Sequence, residues 1–121
     1  MIRKRTTVRL GAVAAVATVG LGLCTGMASA DTTFVANVPG CAGGMQVRFY
    51  GGHDHVQGFV TSTWGAGCSV DLTQSNGGNS TNWTNIPHDT AWTENLLDAG
   101  ITSHVVVCNL DLERCVTSTS Y

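Results

Sequence analysis

The sequence predicts an all-β fold, a small antiparallel β-sandwich or barrel stapled by disulfides, within residues 31–121 of this 121-residue chain. Three observations support this prediction. Thr, Ser, Asn and Gly are frequent in this region, short segments alternate apolar and polar residues, and turn signals separate those segments. Together with four cysteines, the pattern is typical of a compact sandwich or barrel.

Residues 1–30 have the organisation of a secretory signal peptide. Four basic residues within the first nine positions precede an uncharged run that ends in Ala28-Ser29-Ala30, a motif that signal peptidase cleaves. The apolar stretch 10–23 is shorter than the roughly 20 residues of a membrane span. We therefore expect bacterial-type export and a secreted, extracellular domain of residues 31–121 with no membrane segment.

The expected mature domain is acidic. Residues 31–121 contain two arginines, no lysine and eight carboxylates, which gives a net charge of −6 with the histidines neutral. Binding to nucleic acid relies on basic residues that displace counterions, so this class of function is excluded. Binding to an anionic membrane surface is disfavoured for the same reason. The acidic excess favours solubility outside the cell or, alternatively, contact with a basic partner.

The cysteines of the mature region predict two disulfides. Cys41, Cys68, Cys108 and Cys115 form an even set in an exported chain, and none belongs to the C-x-x-C pairs of zinc ribbons. Three pairings are formally possible. Residues 105–108 and 112–116 look like two strands of one hairpin, which favours Cys108–Cys115 and therefore Cys41–Cys68. Each bridge is expected to contribute about 2–4 kcal/mol, mainly by restricting the unfolded chain.

The first half of the domain contains four predicted strands. In the second of them, 45–50, Met45, Val47 and Phe49 share one face. In the third, Val56, Val60 and Trp64 share a parity, and Gly58 marks a bulge. The four strands cover residues 32–38, 45–50, 55–64 and 68–73.

The second half begins with the loop 74–80, followed by a weaker strand 81–86 and, after an ambiguous segment, the hairpin strands 101–108 and 112–118. The ambiguous segment is 89–100. It can form a short helix capped by Asp89 or Thr90 and ended by Gly100, or a strand 90–97 followed by a turn. We favour the strand.

Histidine is the main candidate for chemistry. His53 and His55 are two apart, so on a strand both imidazoles point to the same side and can chelate Cu²⁺ or Zn²⁺, with His88 or His104 as a third ligand. The alternative is a solvated loop tip. A small histidine-based or metal-dependent secreted enzyme is the third functional hypothesis, but no hydrolase motif accompanies these residues.

The three tryptophans offer a second hypothesis. Each is flanked by hydroxyl or amide side chains, a setting in which an exposed indole can stack on a sugar. One or two of them are expected in the core, because an aromatic side chain buries a large area. Trp83, with neighbouring Asn82, is the candidate for exposure, which predicts a carbohydrate-binding module.

The leading hypothesis is a small secreted binding protein that inhibits an extracellular hydrolase. Cross-linked β-domains present rigid loops at a low ordering cost. The presented loop is 74–87, or the Cys108–Cys115 turn with Arg114, although Arg114 can equally be a solvated charge on an edge strand. We expect a monomer that needs no cofactor and whose partner is an extracellular protein, or alternatively a glycan.

Overall fold

The computed structural model describes residues 31–121, and these form two antiparallel β-sheets without any helix. The predicted signal peptide lies outside the described residues. The strands are β1 Asp31–Val38, β2 Cys41–Tyr50, β3 His53–Ser62, β4 Cys68–Gln74, β5 Asn79–Thr84, β6 Thr90–Trp92, β7 Leu96–Asp98, β8 Ser103–Asn109 and β9 Arg114–Thr117. The all-β prediction is confirmed.

The strands divide into a five-stranded and a four-stranded sheet. In the first, the order is β1-β2-β3-β6, and β7 pairs with β3 beside β6. In the second, the order is β9-β8-β4-β5. Alternate side chains from both sheets form one core between them, as expected from period-two patterning. The fully buried members include Met45, Val47, Val56, Val60, Val70, Leu72, Val105 and Val107.

Three tryptophans are exposed, so the expectation that one or two of them lie in the core is wrong. Two residues that strand parity placed on the core face, Phe49 and Trp64, are also exposed. Phe49 has the parity of Met45 and Val47, but it lies one residue from the end of β2 and is 54% exposed. Trp64 was expected to continue β3, yet the strand ends at Ser62. Gly65 then turns the chain with a φ of +94°, and 63% of Trp64 faces solvent.

The ambiguous segment is extended, so the favoured strand interpretation is confirmed and the helix is wrong. It forms two short strands, because three residues (93–95) lie opposite only Gln57 and Gly58 of β3. This makes a bulge. Thr93 stabilises this bulge with two hydrogen bonds to Gly58. Its amide donates to the Gly58 carbonyl at 2.9 Å, and its Oγ1 accepts from the Gly58 amide at 2.8 Å. The irregularity predicted at Gly58 therefore lies in the strand opposite it.

Both disulfides have the favoured pairing. Cys41–Cys68 joins β2 to β4 and thus connects the two sheets, whereas Cys108–Cys115 joins the neighbouring strands β8 and β9. Such bridges indicate an oxidising, extracellular environment. Residues 31–121 contain no helix with the length and hydrophobicity needed to cross a membrane.

Candidate functional site

Four loops meet at one end of the sandwich, and we call this surface the loop end. It comprises residues 39–40, 63–67, 85–89 and 110–113, which connect or follow strands of both sheets. Backbone hydrogen bonds join them: Thr63 N donates to Gly40 O at 3.0 Å, Leu110 N to Gly67 O at 2.7 Å, and Ser62 N to Asp89 O at 3.1 Å. The loops therefore form one connected surface.

Two buried polar side chains fix these loops. Asn109 donates from Nδ2 to Pro39 O at 2.8 Å, and its Oδ1 accepts from the amides of Asp111 and Leu112. Ser62 donates from Oγ to Ala66 O at 2.8 Å and accepts from Gly65 N. Because buried side chains hold the turns in single conformations, the loop end is preorganised.

The loop end exposes large apolar side chains. Trp64 and Ile86 are 63% and 60% exposed, and Leu110 and Leu112 are about half exposed. Trp64 lies against Gly40, since a Cβ placed on Gly40 would be 2.7 Å from Cζ2 of the indole. Concentration of apolar side chains on connected loops marks an interaction surface more strongly than scattered exposed residues do.

Backbone strain is concentrated at the same surface. In residues 31–121 only two non-glycine residues have positive φ, His88 at 66° and Glu113 at 56°, and both belong to the loop end. Left-handed conformations cost a residue with a Cβ on the order of 1 kcal/mol or more, and such strain clusters at binding and catalytic sites. This observation is independent of the exposed apolar side chains.

The charges around the loop end are mostly negative. Asp89, Asp111 and Glu113 lie on its loops, and Arg114 follows the last turn. Asp89 accepts a hydrogen bond from Thr84 Oγ1 at 2.7 Å, so its carboxylate is held in place. The loop end therefore carries both exposed apolar side chains and carboxylates.

The binding residues predicted from the sequence lie on the four-stranded sheet and are not brought together. Trp83 is 58% exposed on β5, and Arg114 is exposed on β9. These are the two edge strands, three strand spacings or about 14 Å apart. Asn82 donates from Nδ2 to Trp92 O at 2.8 Å, and its Oδ1 accepts from Trp83 N. Its amide therefore braces β5 against β6.

The predicted histidine pair lies on β3, where His53 and His55 share the outer face of the sheet. The ring of His55 stacks on Tyr50, and its Nδ1 lies 3.2 Å from His53 O. Within residues 31–121, no group of three or more His, Cys, Asp or Glu side chains is arranged to hold a metal ion. Metal binding at the pair stays a prediction.

A second polar cluster lies at the opposite end of the sandwich. Ser103 donates from Oγ to Asp98 Oδ2 at 2.9 Å and accepts from Gln74 Nε2, and all three side chains are buried. Nearby, Tyr121 OH donates to Asp54 Oδ2 at 2.6 Å, which raises the pKa of the phenol. These contacts attach the C-terminal residue to the sheets, and we interpret them as structural.

Sequence reasoning missed the main residues of the loop end. The sequence places Trp64 in the strand 55–64, Leu110 in a hairpin turn and Leu112 in the strand 112–118, and it marks none of them for a surface. Two signals were present: Trp64 directly precedes the glycine-rich segment 65–67, and apolar residues at 110 and 112 occupy a tight turn, where polar residues are usual. Comparison with known proteins found no matching family model, curated protein or solved structure.

Proposed function

We propose that residues 31–121 form a secreted binding domain that inserts its loop end into the cleft of an extracellular hydrolase and inhibits it. The observation that carries this proposal is the position of Trp64. Its indole is nearly two-thirds exposed, yet it is held against Gly40 on loops that both disulfides brace.

An exposed tryptophan on a rigid support has the properties of a binding anchor. Tryptophan is among the residues that contribute most to protein interfaces, where it fills a desolvated pocket near the centre. Rigid loops lose little conformational entropy on binding, so more of the contact energy appears as affinity. Ile86, Leu110 and Leu112, exposed on the same connected loops, would add apolar contact area to that of the anchor.

The carboxylates of the loop end indicate the chemistry of the partner. Asp89, Asp111 and Glu113 favour a cleft with an apolar pocket and a basic rim. The domain as a whole carries a net charge of −6, so association with a basic enzyme should be accelerated at low ionic strength. Rising salt should therefore slow association more than it changes dissociation.

The experiment is an inhibition titration. The oxidised domain is added to a panel of secreted proteases and glycosidases that includes enzymes with basic active-site rims, and residual activity is measured against molar ratio. We expect stoichiometric loss of activity for at least one enzyme, with the domain recovered uncut. If every enzyme keeps full activity at a large molar excess of folded domain, the inhibitor proposal is wrong for these classes.

A further inference from the structure

The outer face of the five-stranded sheet carries an ordered set of aromatic and amide side chains that the loop end does not use. Side chains of alternate residues on β2, β3 and β6 point outward. The strand register aligns them in rows: Phe59 is opposite Gly44 and Trp92, Gln57 is opposite Gln46, and His55 is opposite Arg48. The first row is aromatic, the second carries two amides, and the third pairs an imidazole with a guanidinium.

The first row presents an aromatic platform. The rings of Phe59 and Trp92 lie 5.3 Å apart at an interplanar angle of 39°, and Trp92 is 41% exposed. Gly44 provides the support, because a Cβ there would be 3.2 Å from Cζ of Phe59 and would collide with the Phe34 carbonyl. Because Gly44 has no side chain, the phenyl ring packs directly on its backbone and lies close to the plane of the sheet.

A second aromatic platform lies along the same strand. Tyr50 and His55 stack with ring centroids 3.8 Å apart and planes within 8°, and Tyr50 is 49% exposed. His55 and Phe59 are four residues apart on β3, which places the two platforms about 13 Å from each other. The two platforms therefore follow one another along β3.

Hydrogen-bonding groups fill the row between the platforms. Gln57 donates its Nε2 to Thr93 O at 2.9 Å, which leaves its Oε1 as an acceptor. Gln46 accepts from Arg48 Nη2 at 2.8 Å, which leaves its Nε2 as a donor. Arg48 also approaches Asp31 at 3.9 Å, so its charge is balanced on this face. The row thus offers a donor and an acceptor without a net charge.

We propose that this face binds a neutral, extended oligosaccharide that lies along β3. Pyranose rings present C–H faces that stack on aromatic rings, and their hydroxyls both donate and accept hydrogen bonds. One sugar would rest on Phe59 and Trp92, another on Tyr50 and His55, with the intervening hydroxyls bound to Gln46 and Gln57.

The shape of the surface agrees with this class of ligand. The face is an open sheet, and a depression beside it, lined by Asp31, Thr32, Thr33, Gln46 and Arg48, has a volume of only about 70 Å³. A compact apolar ligand needs an enclosing pocket of several hundred Å³. A long flexible chain instead gains affinity from contacts spread along a surface. The proposal is independent of the function proposed for the loop end, because it uses different residues.

The test is calorimetric titration of the oxidised domain with cellohexaose, xylohexaose and mannohexaose, supported by affinity electrophoresis in gels that contain the matching polysaccharides. We expect one of these glycans to bind the wild-type domain. Trp92→Ala and Tyr50→Ala should each weaken binding about tenfold, because each removes one stacking surface. Trp64→Ala is the matched control at the loop end and should leave glycan affinity unchanged.

A third tryptophan distinguishes this face from the site that the sequence indicated. Trp83 lies on the other sheet, so Trp83→Ala should also bind as the wild type does. Circular dichroism and thermal unfolding establish that each variant is folded, and Gln46→Ala tests the polar row separately. Absence of binding to all three hexaoses and their polysaccharides would overturn the proposal. So would wild-type affinity in folded Trp92→Ala and Tyr50→Ala, or loss of binding in Trp83→Ala alone.

Discussion

The indole of Trp64 contacts Gly40 so closely that no Cβ fits between them. A Cβ added at Gly40 would lie 2.7 Å from Trp64 Cζ2 and 2.8 Å from Nδ2 of the buried Asn109, and Gly40 has a φ of +85°. The glycine is therefore required both by its backbone conformation and by the space the indole occupies. This contact connects the stability of the loop end to the position of its main exposed side chain.

Gly40→Ala is expected to destabilise the domain by about 1–3 kcal/mol, because it adds steric conflict to an unfavourable φ. Urea unfolding followed by fluorescence measures the effect and reports displacement of the indole. Gly51→Ala is the matched control: Gly51 also has a positive φ of +63°, but a Cβ there meets nothing within 4 Å. Equal destabilisation by the two substitutions would contradict the proposed packing of Trp64.

The two disulfides should differ in their contribution to stability. Cys41–Cys68 spans 27 residues and Cys108–Cys115 spans 7. On the chain-entropy model, their removal by paired alanine substitutions should cost about 3.5 and 2.4 kcal/mol respectively. Urea unfolding of both double variants provides the measurement. A larger loss from removing Cys108–Cys115 would show that this bridge does more than restrict the unfolded chain.

Glu113→Gly is expected to stabilise the domain by up to about 1 kcal/mol. Glycine adopts the left-handed conformation without the strain that Glu113 bears at a φ of 56°, although it loses more entropy on folding. Thermal unfolding checks the sign. The adjacent Arg114→Gly, at a regular strand position, serves as control and should destabilise or have no effect. A loss of stability in Glu113→Gly would show that the side chain makes a compensating contact.

The buried carboxyl of Asp98 predicts a pH dependence. Burial raises its pKa, the hydrogen bond from Ser103 lowers it, nearby Asp54 raises it again, and the backbone at Ile101 lowers it, with a raised pKa as the net result. A raised pKa means that folding favours the protonated form. The stability from this group is thus present below the ordinary pKa of aspartate and is lost as pH rises through the folded-state value.

The wild-type domain should therefore gain stability through Asp98 on mild acidification from neutral pH. In Asp98→Asn that gain should shrink, because the titrating group is gone. Thermal unfolding across a pH series measures the slope, and Glu94→Gln, which removes an exposed carboxylate, should keep the wild-type slope. If the wild type and Asp98→Asn have the same slope, burial of Asp98 does not control its titration.

The sequence predicted the sheets well because their core obeys period-two alternation. Met45 and Val47 are buried as expected, and the hairpin bridged by Cys108–Cys115 forms as expected. The predicted strand ends were less accurate, because turns, rather than the alternation of apolar and polar residues, determine where a strand stops. Parity assigned Trp64 to β3, whereas the Ser62 side chain accepts from Gly65 N and turns the chain before that residue.

The candidate surfaces were only partly predictable, because both depend on contacts between residues far apart in sequence. Trp83 is exposed as predicted, but Trp64 and Trp92 are exposed too. Nothing in the local sequence shows that the Asn82 amide donates to Trp92 O. The platform of Phe59 and Trp92 requires the pairing of β3 with β6, which the ambiguity of residues 89–100 concealed. Local sequence gives side-chain chemistry, and only the register shows which side chains meet.

The central claim, that a protein partner binds the loop end through Trp64, is tested most directly by repeating the inhibition titration with two tryptophan variants. Trp64→Ala and Trp83→Ala remove similarly exposed indoles from different surfaces. We predict that Trp64→Ala weakens inhibition at least about thirtyfold, as loss of a central anchor does, and that Trp83→Ala inhibits as the wild type. Wild-type inhibition by folded Trp64→Ala, or loss of inhibition in Trp83→Ala alone, would contradict the account.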